Sequence, residues 1–486
     1  MCTSSARSIP PPVGRAVLFS GLRMVTLSPV DIFLILSYFA AVLFVGFRSA
    51  RTTTASAADY LLGGRSLTLP VFVMTLVSTW YGGILGVGEF TYRYGISNWV
   101  VQGIPYYVFA AVFAVFLAKK IRSTNLYSIP DKLHDAYDRK TAILGAILTF
   151  ILMSPAPYVL MLAVLLNILF GWNMVASVVV IAVVALSYMY AGGFRSDVAT
   201  DILEFVLMFA GFMVIIPFAI HHYGGMEFLE RHLPAPHLLW NGGHSAQYLL
   251  VWFFIALWTF VDPAFHQRCY AAKDARTAQR GILVSILFWF LFDSMTLTAG
   301  LYARAALPDL SQPMMSYPLL AEAVLPPVAK GLFYIGLLAT IMSTLNTLGF
   351  VSAQTLGRDI ILRAKRADLR ADQNSPLAVR YTKIGLIAAF ILSVILDFLL
   401  PSVVEMWYTI GTVVIPGLLV PVIAGYFPKL HIASRYAFFS MLFGWTTSSC
   451  WLIAGHFGNH YPLGIEPMYP GLLVSLIFWI VGKIRR

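Results

Sequence analysis

Charged side chains are scarce in this chain: they make up 11% of its 486 residues, with 22 acids against 33 Lys and Arg, where a soluble domain carries about 25%. A water-facing surface cannot be built from so few. Cysteine is scarcer still, and Cys2, Cys269 and Cys450 are too scattered for a disulfide framework or a zinc site. No HExxH, no GxSxG and no paired-carboxylate cluster occurs, so nothing suggests an enzyme. The first 28 residues hold Arg7, Arg15, Arg23 and Pro10 to Pro12, but no apolar core followed by a small-residue cleavage site. They read as a disordered extracytoplasmic tail, with Met24 an alternative start. The net charge of +11 sits in short loops rather than on one face, which argues against nucleic acid as a partner.

What fills the chain instead is apolar sequence, 59% of residues, with a mean hydropathy of +0.78. Runs long enough to cross about 30 Å of hydrocarbon recur from Ile32 onward. Bounded by charges, Gly and Pro, they predict thirteen spans, at 29–48, 67–92, 98–118, 142–170, 173–191, 198–221, 246–264, 281–303, 330–353, 380–400, 404–426, 434–455 and 465–482. Residues 29–486 then form a single all-α transmembrane domain whose solvent is the lipid bilayer. With the N-terminus outside, 26 of the 33 Lys and Arg fall in cytoplasmic loops, as the positive-inside rule requires. The C-terminus is expected in the cytoplasm and the chain in a bacterial inner membrane.

Two spans are interrupted. The second contains Ser78-Thr79-Trp80-Tyr81-Gly82-Gly83 and then Gly86-Val87-Gly88-Glu89 at mid-membrane depth. The seventh carries Asp262-Pro263 inside a short apolar segment that also holds Trp258. Unwound backbone is tolerated in a bilayer only inside protein or along a cavity, because its carbonyls need partners. Two breaks five spans apart fit an inverted five-plus-five repeat with solute bound between them. Close helix packing at small residues explains the same glycines. In the ninth span Thr340, Ser343, Thr344 and Thr347 share one helix face. Such a stripe suits a hard cation such as sodium, and equally suits hydroxyls bonding back to their own helix.

Acids at depth are functional candidates by default. Asp201 and Glu204 share a face of the sixth span, whereas Asp197 is expected to pair with Arg195 or surface lysines. Asp293, Glu89 and Asp262 are isolated. They suit an amine-bearing solute, a stabiliser of unwound backbone, or a proton site. Of the many aromatics, Trp80 and Tyr81 stand out because they lie at a break; most others are expected as interfacial anchors.

Several stretches, taken in order, resemble the sodium/solute symporter family, which includes bacterial galactose, proline and sialic acid symporters. They are Asp59-Tyr60-Leu61-Leu62-Gly63-Gly64-Arg65-Ser66-Leu67, Gly192-Gly193-Phe194 with Thr200-Asp201, Gln267-Arg268 with Ala271 to Asp274, and Met342-Ser343-Thr344 with Arg358-Asp359. The resemblance runs from about Asp31 to the C-terminus. It implies a LeuT-type fold with one helix leading the repeat (29–48), a first repeat over 67–221, a second over 246–426, and two trailing helices over 434–482. It also implies a sodium site of carbonyls at Ser78, Tyr81 and Thr340 and hydroxyls of Ser343 and Thr344. A second sodium, bound by some relatives, would fall on Asp201, Ser343, Asn346 and Thr347, with Asn346 where serine is more usual. Trp80, Gly82, Gly83, Glu89, Trp258 and Asp293 are the candidates for solute contact or gating. Gly82-Gly83 stands where several relatives carry polar side chains.

The expected function is sodium-coupled symport of a small polar solute by alternating access, with sodium as coupling ion and no cofactor. Proton coupling through Asp201 or Asp293 is the alternative within transport. A solute sensor built on a transporter fold is the alternative outside it.

Overall fold

The computed structural model describes residues 25–54, 56–365, 376–399, 403–458 and 461–485, and the side chains of 397–399 and 403–405 are excluded. The N-terminal residues up to Met24 lie outside it. Val25 is already packed, buried and donating its N–H to the Ile168 carbonyl.

Among the described residues the chain is helical throughout. The leading helix α1 (Pro29–Ala50) starts on a Ser28–Asp31 capping box. Asp31 also accepts the Val328 and Gly331 N–H groups at 2.9 Å, which ties α1 to the start of the later helix Ala329–Gln354. The second span is two helices, α2 (Leu69–Trp80) and α3 (Ile84–Tyr94), bent 59° apart. Then come α4 (Trp99–Ser123), α5 (Arg139–Phe170), α6 (Met174–Gly192) and α7 (Phe194–Tyr223). The seventh span is also broken, into α8 (Ala246–Ile255) and α9 (Pro263–Ala271). The chain continues with α10 (Ala275–Ala306), α11 (Ala329–Gln354), α12 (Pro376–Leu399), α13 (Val403–Tyr426), α14 (Ser434–Gly458) and α15 (Met468–Ile484). Among the described residues eleven helical stretches, the interrupted one over Ala246–Ala271 included, and the bent pair are long and apolar enough to cross a membrane; α15, the predicted thirteenth, has 17 residues.

Small residues set how closely the central helices approach. A Cβ on Gly211 of α7 would lie 2.8 Å from the Gly336 Cα of α11, so backbone meets backbone there. Two to three turns from that crossing the polar faces of α7 and α11 confront each other, where Ser343 meets Asp201. Every residue of α11 from Phe333 to Gln354 is buried, so its hydroxyls must find partners inside the protein.

The two broken spans meet at the face bearing the basic loops. Leu67 donates its N–H to the Ala271 carbonyl at 3.1 Å and accepts from Lys273 at 2.9 Å. Arg65 reaches the Tyr270 carbonyl at 3.0 Å. On the same face the short helix Ile129–Ala136 presents Asp131 to Arg358 and Arg363. Burial alone would raise the Asp131 carboxyl, but the two guanidiniums hold it down at about 2.

At the opposite face, Gly95 (φ +63°) lets the turn after α3 lie against residue 237: a Cβ there would meet the His237 carbonyl oxygen at 2.2 Å. The Ile96 N–H donates to that oxygen at 2.9 Å, and His237 Nε2 contacts the Tyr92 carbonyl at 3.0 Å. Burial, with Arg304 nearby, lowers the His237 pKa below its usual 6.5. The folded state therefore binds fewer protons, so docking is fully stable above about pH 6.5 and weakens as pH falls below it. The protection factor of the Ile96 amide, its exchange rate corrected for the intrinsic pH dependence of exchange, should fall several-fold between pH 7.5 and 5.5. In His237→Gln, which keeps a donor but does not titrate, that pH dependence should vanish.

Candidate functional site

Three helices contribute polar pairs spaced one turn apart: Thr75 and Thr79 on α2, Asp197 and Asp201 on α7, Ser343 and Thr347 on α11. All six side chains are buried. Spacing of four residues puts each pair on one face, and the three faces converge on Arg268 of α9, which has no exposure. Its Nε donates to Thr75 Oγ1 at 2.8 Å, and Nη1 to Gln267 Oε1 at 3.1 Å. Nη2 lies within 3.2 Å of Asp197 Oδ2 and Asp201 Oδ2, 3.0 Å of Thr79 Oγ1 and 2.7 Å of Thr347 Oγ1. Asp197 is thus inside the bundle, not at the surface with Arg195; Arg195 pairs instead with Asp59.

Beside this cluster α11 touches the break of the second span. Thr344 Oγ1 donates to the Thr79 carbonyl at 2.6 Å, and Ser343 Oγ donates to Asp201 Oδ1 at 2.6 Å. Thr340 Oγ1 bonds back to the Gly336 carbonyl of its own helix at 2.6 Å, leaving the Thr340 carbonyl toward Thr344 Oγ1 at 3.4 Å. Gly82 permits this contact, since a Cβ there would lie 2.3 Å from Thr344 Cβ. Ser78 is buried and bonded back to the Thr75 carbonyl at 3.3 Å. Tyr81 turns its side chain to α10, where its hydroxyl meets the Trp289 carbonyl at 2.9 Å. The carbonyl that α11 touches is therefore Thr79's, between the two positions expected from sequence.

Of the residues marked for a second sodium, Asp201 and Thr347 are bonded to Arg268, while Asn346 is buried with neither side-chain polar atom hydrogen-bonded. The remaining candidates separate. Gly83 backs onto the Trp407 ring, 2.0 Å from where a Cβ would be. Trp80 packs edge-on against Tyr106 at 4.8 Å and Phe265 at 5.6 Å. Trp258 lies 3.4 Å from the Gly411 Cβ position. Gly83 and Trp258 thus both pack on α13, while Trp80 touches α9. Asp293 belongs to another cluster, accepting from the Tyr107 hydroxyl, which Trp99 also reaches. Glu89 is paired with Arg93 one turn along α3 at 2.9 Å and does not join the site.

Sequence reasoning missed Thr75, Thr79 and Arg268. From sequence Arg268 stands out only within the Gln267-Arg268 stretch; the signal for its role is the pair of acids four apart at the start of α7, which a buried cation must answer.

A helical membrane bundle with two broken spans, and a polar cluster where one break meets an unbroken helix, is the architecture of a LeuT-type secondary transporter. Comparison with known proteins makes this specific. The model of the sodium:solute symporter family matches residues 60–444. The sodium/pantothenate symporter of Escherichia coli strain K12 is 26% identical over 456 residues, covering 89% of this chain and 91% of that protein. The osmoregulated proline transporter OpuE of Bacillus subtilis strain 168 is 22% identical over 471 residues, covering 91% and 92%. A Na+-coupled sialic acid symporter in a substrate-bound outward-open state superposes with a TM-score of 0.79 at 15% identity, covering 94% of this chain and 97% of that one. The chain belongs to the sodium:solute symporter family: it is an integral membrane transporter that couples sodium to the movement of a small solute by alternating access, and not an enzyme.

Proposed function

We propose that the coupling sodium binds where α2 ends against α11, and that the hydrogen bond from Thr344 to the Thr79 carbonyl marks the place. That contact carries the reading, because a hydroxyl and a freed carbonyl are the neutral oxygen ligands a monovalent cation uses. The Thr340 carbonyl and Ser343 hydroxyl complete the set on α11, and the Ser78 and Tyr81 carbonyls flank Thr79 on the broken span. When the ion arrives, the Thr344 hydroxyl exchanges its carbonyl partner for the cation. The break is then held to α11 by the ion, which fixes the shape of the adjoining solute pocket at Trp80, Gly82, Gly83 and Trp258.

Coupling follows as differential affinity: sodium favours the state in which the break and α11 are joined, and solute completes the closure. With the N-terminus outside and basic loops in the cytoplasm of a bacterial inner membrane, the potential adds about 2.3 kcal/mol per charge per 100 mV to inward sodium movement. Asp201 and Thr347 become available to a second sodium, with Asn346, only if Arg268 withdraws. Asp293, bonded to Tyr107, is assigned to packing α4 against α10.

The test is solute uptake into proteoliposomes under a sodium gradient, with potassium as control. A lost ligand to a charged group is worth about 1.5–3 kcal/mol. Ser343→Ala and Thr344→Ala are each expected to raise the sodium concentration for half-maximal uptake about tenfold or more. Uptake indifferent to sodium and to both substitutions would exclude this site.

A further inference from the structure

The lipid-facing wall formed by α1, α6 and α12 ends, at the face bearing the basic loops, in a rim of cations with no anion among them. We propose that this rim binds the headgroup of an anionic phospholipid. The outer helices of the wall share one pattern. On α12, Arg380, Lys383, Ile384 and Ile387 recur at spacings of three and four and so lie on one face. Arg380 and both isoleucines are exposed, and Lys383 is half-buried. On α1 the same spacing joins Phe44, Phe47, Arg48 and Arg51, all exposed. On α6, packed against both, Val183 and Tyr190 are exposed two turns apart. In a chain whose solvent is lipid, the exposed apolar side chains meet acyl chains, and the cations at the end of each stripe reach headgroup depth.

The helix ends are tied together at this rim. A Cβ on Gly192, the last residue of α6, would lie 2.9 Å from the Ala50 Cα at the end of α1. Thr53, just beyond α1, donates to the Gly192 carbonyl at 3.3 Å. Tyr60, from the short helix Ala57–Leu62, reaches the Met189 and Tyr190 carbonyls at 3.2 Å. Lys383 completes the junction from α12: its Nζ lies 4.7 Å from the centre of the Tyr190 ring and 5.4 Å from that of Tyr60. Cations from α1 and from α12 therefore flank the same end of α6.

Other basic residues of this face already have partners. Arg195 pairs with Asp59, and Arg358 and Arg363 pair with Asp131. Arg65 and Arg122 donate to the carbonyls of Tyr270 and Ala272. The side chains of Arg48, Arg51, Arg380 and Lys383 make no ion pair and no hydrogen bond among the described residues. Lys383 has only ring faces, which hold an ammonium in place without neutralising it and leave its N–H donors available. A phosphodiester supplies the missing charge, with oxygens that accept from ammonium and guanidinium alike. Its acyl chains then continue along the apolar stripes beneath. A basic pocket between membrane helices is a recurrent form of anionic headgroup site. A zwitterionic headgroup brings its own cation and answers the rim less well.

The experiment uses the full chain, purified in detergent and stripped of lipid, with bound lipid counted by native mass spectrometry. The probes are dioctanoyl phosphatidylglycerol, dioctanoyl phosphatidylcholine as the zwitterionic control, and inorganic phosphate as a headgroup without chains. Phosphatidylglycerol is expected to bind about tenfold more tightly than phosphatidylcholine, and equimolar phosphate should not displace it. Lys383→Gln, and separately the pair Arg48→Gln with Arg51→Gln, should each reduce that preference to about threefold or less. Lys383→Arg should keep it. The arginine pair changes only exposed, unpartnered side chains, so it tests the rim even where Lys383→Gln fails to fold. Arg276→Gln with Arg280→Gln removes two charges from the start of α10, outside this wall, and should leave the preference intact. Equal binding of the two lipids, or a preference that survives the changes on α1 and at Lys383, would overturn the inference. So would an equal loss in the Arg276, Arg280 pair, which would reduce the effect to the net charge of the face. Displacement by phosphate would overturn the lipid as occupant.

Discussion

Arg268→Leu is expected to produce a protein that scarcely survives extraction, with no sodium-driven uptake. The substitution leaves Asp197 and Asp201 fully buried with no cation between them, and breaking a buried ion pair from one side costs about 3–5 kcal/mol. It also removes the donor for Thr75, Thr79 and Thr347. Arg268→Lys should recover only part, since a compact ammonium has three donors and cannot reproduce a planar fork reaching three helices. The triple variant Arg268→Leu, Asp197→Asn, Asp201→Asn separates structure from coupling. Heat stability should return toward wild type, because no charge is left unpaired, while sodium affinity stays low because a neutral amide at 201 holds the Ser343 hydroxyl more weakly than the carboxylate does. Wild-type heat stability in Arg268→Leu alone would show that the cluster does not hold the bundle together.

The location of Arg268 also explains why so much of the scaffold was legible in the sequence and so little of the site. Span positions follow from the length of apolar runs, which a bilayer imposes on every helix alike. The two breaks were visible because Gly82-Gly83 and Asp262-Pro263 interrupt those runs, and the bend between α2 and α3 falls at the first of them. The stripe on α11 was visible because helical spacing puts Thr340, Ser343, Thr344 and Thr347 on one face. Which oxygen each of them meets was not. Ser78, Thr79 and Tyr81 are neighbours along the chain, and only the rotation of α2 about its axis decides that Thr79 presents its carbonyl to Thr344.

Charges were harder to place for a related reason. Arg195 and Asp197 are two residues apart and seem natural partners, yet at the start of a helix that spacing sends them to different sides. Arg195 goes out to Asp59 and Asp197 in to Arg268. Glu89 reads as isolated because the predicted span stops at residue 92; Arg93, four residues on, continues α3 and shares its face with Glu89. Partners distant in sequence, such as Arg268 and Thr75, leave no local trace. Their signal is a deficit: acids in the membrane interior with no cation beside them.

Gly82→Ala is the smallest change expected to uncouple sodium from transport. The added Cβ would lie 2.3 Å from Thr344 Cβ, 2.4 Å from Oγ1 and 2.6 Å from Cγ2. Rotating Thr344 cannot relieve the clash, because its Cβ is itself one of the atoms struck. The broken span must therefore move off α11, which separates the Thr79 carbonyl from the Thr344 hydroxyl that meets it at 2.6 Å. Overpacking of this kind costs about 1–3 kcal/mol, enough to raise the sodium requirement about tenfold. Solute binding at saturating sodium should suffer less, since enough ion redraws the break to α11 by mass action. Gly225→Ala is the matched control: its Cβ would meet nothing within 4 Å, and it should leave sodium dependence unchanged. Sodium titrations of uptake on the two variants decide the matter. A normal half-maximal sodium concentration in Gly82→Ala would mean that the ion does not depend on the contact between the break and α11.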